Sequence, residues 1–126
     1  MKTMTNRPVF LNLFKIHFPV AAVVSILHRF SGVLLSVLTP LFIYLFGLSI
    51  QGEESFLSVV SLLTSMPGKL VAALLVWIFA HHFLAGVRFL LLDIDIGLSK
   101  SSAAQSAWLV HIGAVAVAAL ALGLML

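Results

Sequence analysis

The chain has 126 residues, of which 62% are hydrophobic and only 9% charged, with a formal net charge of +3 and a mean hydropathy of +1.21. So little polar surface cannot cover a core of this size, which excludes a water-soluble globule and leaves one domain, residues 1–126, built into a bilayer. Cysteine is absent from the sequence, so disulfides, thiol catalysis and cysteine-ligated clusters are excluded with it.

The first residues mix polar and apolar types, with Asn6, Pro8, Asn12 and Pro19, and are not expected to form a cleaved signal. Three apolar stretches follow, about residues 23–50, 70–92 and 107–126, each long enough for the roughly 20 helical residues that cross a bilayer. Lipid requires each backbone polar group to be satisfied within its own segment, so the fold class is all-α integral membrane with three transmembrane helices. Between the first two helices lies "QGEESFLSVVSLLTSMPGK", with an amphipathic middle suited to the membrane surface and a turn expected at Pro67 and Gly68. Between the last two lies "DIDIGLSKSSAAQS", where Ser101 and Ser102 are expected to cap the third helix.

Charge orients this plan. Lys2, Arg7, Lys15, Arg29, Arg88 and Lys100 fall on one side of the three helices, and Lys69 alone falls on the other, beside Glu53 and Glu54. The positive-inside bias puts the N-terminus in the cytoplasm and the C-terminus opposite. The basic excess therefore reports topology and gives no support to a nucleic-acid partner.

Two constellations carry chemistry. In "SILHRFSGVLL", Ser25, His28, Arg29 and Gly32 share a helical face near the interface. A hydroxyl, an imidazole and a fixed positive charge over a small residue can hold a small polar ligand, or Arg29 can simply snorkel to the headgroups. In "HHFLAGVRFLLLD", His81 and His82 lie deep in the second helix and point about 100° apart. Ala85 and Gly86 one turn on leave a hollow beside His82 that suits a planar ligand, whereas His81 has less room. Neutral imidazole is the usual axial ligand of a b-type haem, and it is also an ordinary hydrogen-bonding core residue. A six-coordinate haem needs a second histidine. His111 lies at a comparable depth but heads a Gly- and Ala-rich packing face, so the alternatives are an internal pair or a ligand from a partner chain. Asp93 and Asp95 read as exposed helix-end carboxylates.

"RPVFLNL", "SILHRFSG" and H-x-x-x-G-x-R with a later Asp, in this order over nearly the whole chain, resemble the cytochrome b subunit family of succinate dehydrogenase, the larger of the two membrane anchors of complex II. The resemblance implies packing against a second three-helix anchor, with an iron–sulfur subunit and a flavoprotein subunit on the cytoplasmic face. It implies one haem b shared between the anchors, quinone as substrate, and FAD and iron–sulfur clusters only in partner subunits. Carried over by position, His82 is the haem iron ligand, Ser25 and Arg29 bind quinone, His28 lies between propionate and quinone, and Arg88 is placed at a propionate. Many members have a histidine after that arginine; Phe89 stands there in this chain, so that histidine's secondary role is not carried over. The expected function is electron transfer from succinate through iron–sulfur clusters to quinone in a bacterial inner membrane, ahead of a mitochondrial one. The chain by itself is not expected to be an enzyme. The alternatives are an anchor of a quinol:fumarate reductase and a haem-free membrane scaffold.

Overall fold

The computed structural model describes residues 15–126. The "RPVFLNL" segment, with Lys2 and Arg7, lies outside the described residues. Four helices follow in order: α1 (Val20–Ser49), α2 (Glu53–Thr64), α3 (Met66–Asp93) and α4 (Lys100–Met125). The three long ones are long and apolar enough to cross a membrane, as the apolar runs predict.

Each long helix starts earlier than its apolar run, and the reasons are local. Pro19 is extended and cannot continue a helix backward, so α1 begins at Val20. The Pro67–Gly68 pair is not a turn. Ser65 caps α3 by accepting a hydrogen bond from the Gly68 N–H at 3.1 Å, and Pro67 sits in the first turn, where its missing N–H costs nothing. Gly68 is required for another reason, since a Cβ there would collide with the Leu62 carbonyl oxygen where α2 meets α3. The expected caps at Ser101 and Ser102 are replaced by Ser99, whose hydroxyl oxygen accepts from the Ser102 N–H at 3.1 Å. The polar run from Lys100 is therefore the first two turns of α4 and not a linker.

The amphipathic linker forms α2, whose 12 residues are too few to span a bilayer. Glu53 and Glu54 occupy its first turn, where negative charge suits the helix dipole. Further up α1, Pro40 has no N–H to offer the Ser36 carbonyl, so that acceptor is left free inside the helix.

α3 is the centre of the bundle and packs on the other three helices. The core is small and built from small side chains: Val24 of α1, Ala85 of α3, and Ala107 and Val110 of α4, with Leu84 and Phe89 against them. Lipid supplies no hydrophobic drive between helices, so close backbone approach through alanines and valines is what binds them. This core sits where α1 begins, α3 ends and α4 begins, which is one end of the bundle. The outer faces remain apolar, with Phe30, Val37, Phe46, Leu90 and Leu120 exposed.

At that same end α3 closes in a Schellman motif. The Asp95 N–H donates to the Leu92 carbonyl at 3.1 Å and the Ile96 N–H to the Leu91 carbonyl at 2.9 Å. Asp95 carries the left-handed φ of +62° that this motif demands. Its role is backbone geometry, in keeping with its reading as a helix-end residue. Asp95→Gly should hold or raise the thermal midpoint of the detergent-solubilised chain followed by circular dichroism. Asp95→Val should lower stability by about 1 kcal/mol, because a β-branched residue resists this conformation. Equal midpoints for the two variants would remove this reading.

Candidate functional site

The histidine-bearing stretches of α1 and α3 meet side by side. The His82 imidazole stacks on that of His28, with ring centroids 4.2 Å apart and planes 8° from parallel. His82 Nδ1 lies 3.1 Å from the His28 carbonyl oxygen and 3.1 Å from Ser31 Oγ. A carbonyl only accepts, so the hydrogen bond places the proton on Nδ1. The Ser31 hydroxyl donates to the same carbonyl at 2.9 Å, which turns its own lone pair toward His82. In the neutral ring, Nε2 is then the nitrogen with a free lone pair. This is how a ligating histidine is oriented in metal sites, with one ring N–H held by a carbonyl and the other nitrogen presented.

A glycine lies opposite each imidazole, and the one at Gly32 is what the stack requires. A Cβ on Gly32 would lie 3.0 Å from His82 Cε1, and one on Gly86 would lie 3.6 Å from His28 Nε2. The clearance expected beside His82 from Ala85 and Gly86 is therefore used differently. Ala85 is fully buried in the core, Gly86 lies against His28 with room for a methyl, and Gly32 makes room for His82. Phe89 meets the His28 ring edge-on at 5.2 Å and so wedges that imidazole from the α3 side.

The rings open onto a groove of about 530 Å³, lined by His28, Arg29, Gly32, Ser36, Val37 and His82 together with Val33. Of the predicted face, His28, Arg29 and Gly32 line this groove. Ser25 is half-buried one turn nearer the start of α1 and is not part of its wall. Arg29 is exposed at the groove, free to meet a ligand or a headgroup. Ser31 and Ser36 were missed from the sequence. The signal for Ser31 was its place one turn after His28; Ser36 lies one turn beyond Gly32.

His81 and Arg88 turn the other way, toward α4. His81 is 1% exposed, its ring 5.2 Å from that of His111 and 5.8 Å from Trp77, and its Nε2 is buried without a hydrogen-bond partner. His111 therefore faces His81, and the internal His82–His111 pairing is not the one the helices make. Arg88, expected at a propionate, is 6% exposed and donates from Nε to Ser106 Oγ at 3.0 Å and from Nη2 to the Ala103 carbonyl at 3.1 Å. Its guanidinium ties α3 to α4, on the side of α3 away from His28. Asp93 is exposed at the end of α3. Among the described residues, no cluster of three or more His, Asp or Glu side chains is placed to hold a bare metal ion.

The arrangement can do two things. It presents one oriented imidazole nitrogen to a metal centre that brings its own remaining ligands, as a haem does. It also sets a permanent cation and a second imidazole within the same groove, where negative charge on a bound oxygen would be stabilised.

Comparison with known proteins bears on this geometry. Residues 3–122 match the sequence family described as "Succinate dehydrogenase/Fumarate reductase transmembrane subunit". The chain is 35% identical over 108 residues to the succinate dehydrogenase cytochrome b556 subunit of Coxiella burnetii, covering 85% of this chain and 86% of that one. It is 36% identical over 126 residues to the mitochondrial succinate dehydrogenase cytochrome b560 subunit of Mus musculus, covering 96% and 70%.

The two glycines give a matched test of the stack. Gly32→Val should destabilise the chain by about 1–3 kcal/mol, the usual cost of overpacking, because its side chain must displace His82. Gly86→Ala should stay within about 1 kcal/mol of wild type, since its new methyl makes only ordinary contact. Unfolding in sodium dodecyl sulfate, followed by tryptophan fluorescence, measures both. Equal losses would show that the rings are not seated on these glycines.

Proposed function

This chain belongs to the succinate dehydrogenase/fumarate reductase transmembrane subunit family, and we propose that it is the cytochrome b anchor of a succinate:quinone oxidoreductase. As a member it is a multi-pass membrane subunit of such a complex. The two relatives, both named as succinate dehydrogenase cytochrome b subunits, support succinate oxidation as the working direction. The Coxiella relative supports a bacterial inner membrane. The basic residues near the start of α1 and the end of α3 support placing that end of the bundle in the cytoplasm.

One observation carries the cofactor reading. His82 has its Nδ1–H committed to the His28 carbonyl, which leaves Nε2 unprotonated beside a groove kept open by Gly32. These residues fit a b-type haem, which His82 would hold through Nε2. When bound, the haem supplies a one-electron store between the iron–sulfur donor and the quinone. The second ligand comes from outside this chain. His28 is stacked on His82 and His111 is turned toward His81, so neither is placed to share a ligand with His82. A second membrane anchor would supply the other histidine.

The chain's own contribution to quinone reduction lies with Arg29, Ser25 and His28. Arg29 stays charged at all working pH values and stabilises the negative charge that develops on a quinone oxygen. Ser25, one turn nearer the interface, donates its hydroxyl to a quinone carbonyl. His28 is stacked on His82 and would be available to a haem propionate. Arg88 has turned to α4, so Arg29 and His28 are the groups of this chain that we assign to anionic substituents in the groove. Succinate oxidation, FAD and the iron–sulfur clusters belong to the flavoprotein and iron–sulfur subunits.

Two measurements on the assembled complex test this. A reduced-minus-oxidised visible spectrum should show a b-type signal that His82→Leu removes; a signal that persists in the variant would move the ligand elsewhere. Arg29→Leu should retain the haem signal but slow succinate-to-quinone turnover on the order of 100-fold, the usual cost of losing one charge-stabilising donor. Reduction of a water-soluble dye by succinate should be unchanged in the same sample. Normal quinone turnover in Arg29→Leu would remove that residue from the site.

A further inference from the structure

The far side of α3 holds a charge that the proposed function does not use. Arg88 is 6% exposed, and among the described residues the groups that meet its guanidinium, Ser106 Oγ, the Ala103 carbonyl and the Phe89 ring at 5.5 Å, are all neutral. All four acidic residues of the chain are exposed. A buried cation with only neutral partners in a membrane protein is costly and calls for an anion.

A groove of about 390 Å³ opens beside it between α3 and α4. Its walls are apolar, with Leu84, Val87, Leu91 and Leu109 among them. Its polar end carries Ser102, Gln105 and Arg88. Ser102 and Gln105 lie in the first two turns of α4, where the helix dipole adds positive potential. The groove reaches the loop at Ile96 and Gly97, so its polar end lies at the membrane interface and its apolar end runs inward. Three guanidinium N–H groups remain beyond the two that are bonded.

We propose that this groove holds one anionic phospholipid of the leaflet in which the basic residues lie. Its phosphate pairs with Arg88, Gln105 and Ser102 contact the headgroup, and one acyl chain lies along Leu84, Val87 and Leu109. Charge complementarity selects the occupant. A zwitterionic lipid would bring its own cation to a site that already has one, and a soluble phosphate would leave the apolar walls unfilled. The site is separate from the His28–His82 groove and does not depend on haem.

The test uses the complex purified from its native membrane with its partner subunits. Lipid that survives extensive washing in a mild detergent is identified by native mass spectrometry, and haem content is read on the same sample. Wild type should retain an anionic phospholipid and should regain it, after delipidation, from nanodiscs of phosphatidylglycerol but not of phosphatidylcholine. Arg88→Met should lose that lipid and keep its haem. Leu109→Trp fills the apolar end and leaves Arg88 in place, so it should lose the lipid too, which covers the case in which Arg88→Met fails to assemble. Retention of the same anionic lipid by both variants would overturn the proposal. So would a wild type with no selectivity between the two nanodiscs, or an Arg88→Met complex that keeps its lipid and loses its haem.

Discussion

The hydrogen bond from His82 Nδ1 to the backbone carbonyl of His28 is the contact on which the site depends. It joins α1 to α3 at the depth where both chemical motifs sit, and it decides which nitrogen of His82 is left free. A side-chain acceptor could rotate away, whereas a helix carbonyl is fixed by its own helix. Ser31 Oγ, 3.1 Å from Nδ1, offers the same proton a second acceptor, and Gly32 lets the His82 ring lie flat against that of His28. The first motif, read alone as a polar face for a ligand, is thus also the support of the second.

The same helix divides its polar groups between two sides. Adjacent histidines on a helix point about 100° apart, so α3 gives His82 to α1 and His81 to α4. His81 meets His111, and Arg88 meets Ser106 and Ala103, while His82 keeps to the open groove. Each buried polar group in lipid needs a partner, and this division supplies most of them within the chain. The His28–His82 groove falls on one face of α3 and the buried charge of Arg88 on the other.

Much of this was legible in the sequence. Apolar length alone located three spans, because lipid leaves few ways to be apolar for 20 or more residues. The motifs singled out His28 and His82, and their rings do meet across α1 and α3, although the clearance at Ala85 and Gly86 that favoured His82 is not what seats it. Helix starts were less legible. Pro67–Gly68 and the serines before Ala103 look like loops by composition, yet Ser65 and Ser99 cap helices that begin among them. The helical wheel gives the direction of a side chain but not the helix it will meet. For that reason the turn of Arg88 toward α4, the pairing of His81 with His111, and the use of Gly32 against His82 became visible only in three dimensions. Phe89 is an instructive case. As a departure from the family pattern it looked like a lost function, and in the fold it is the ring that holds His28 against His82.

The most direct test is the protonation of His82 itself, read by nitrogen-15 NMR of the histidine-labelled chain in micelles without haem and assigned with His82→Leu. The account predicts that the His82 proton sits on Nδ1 and leaves Nε2 bare before any ligand arrives. A His82 protonated on Nε2, or one that exchanges freely between tautomers, would contradict it, because the α1–α3 contact would then not be what prepares the ligand.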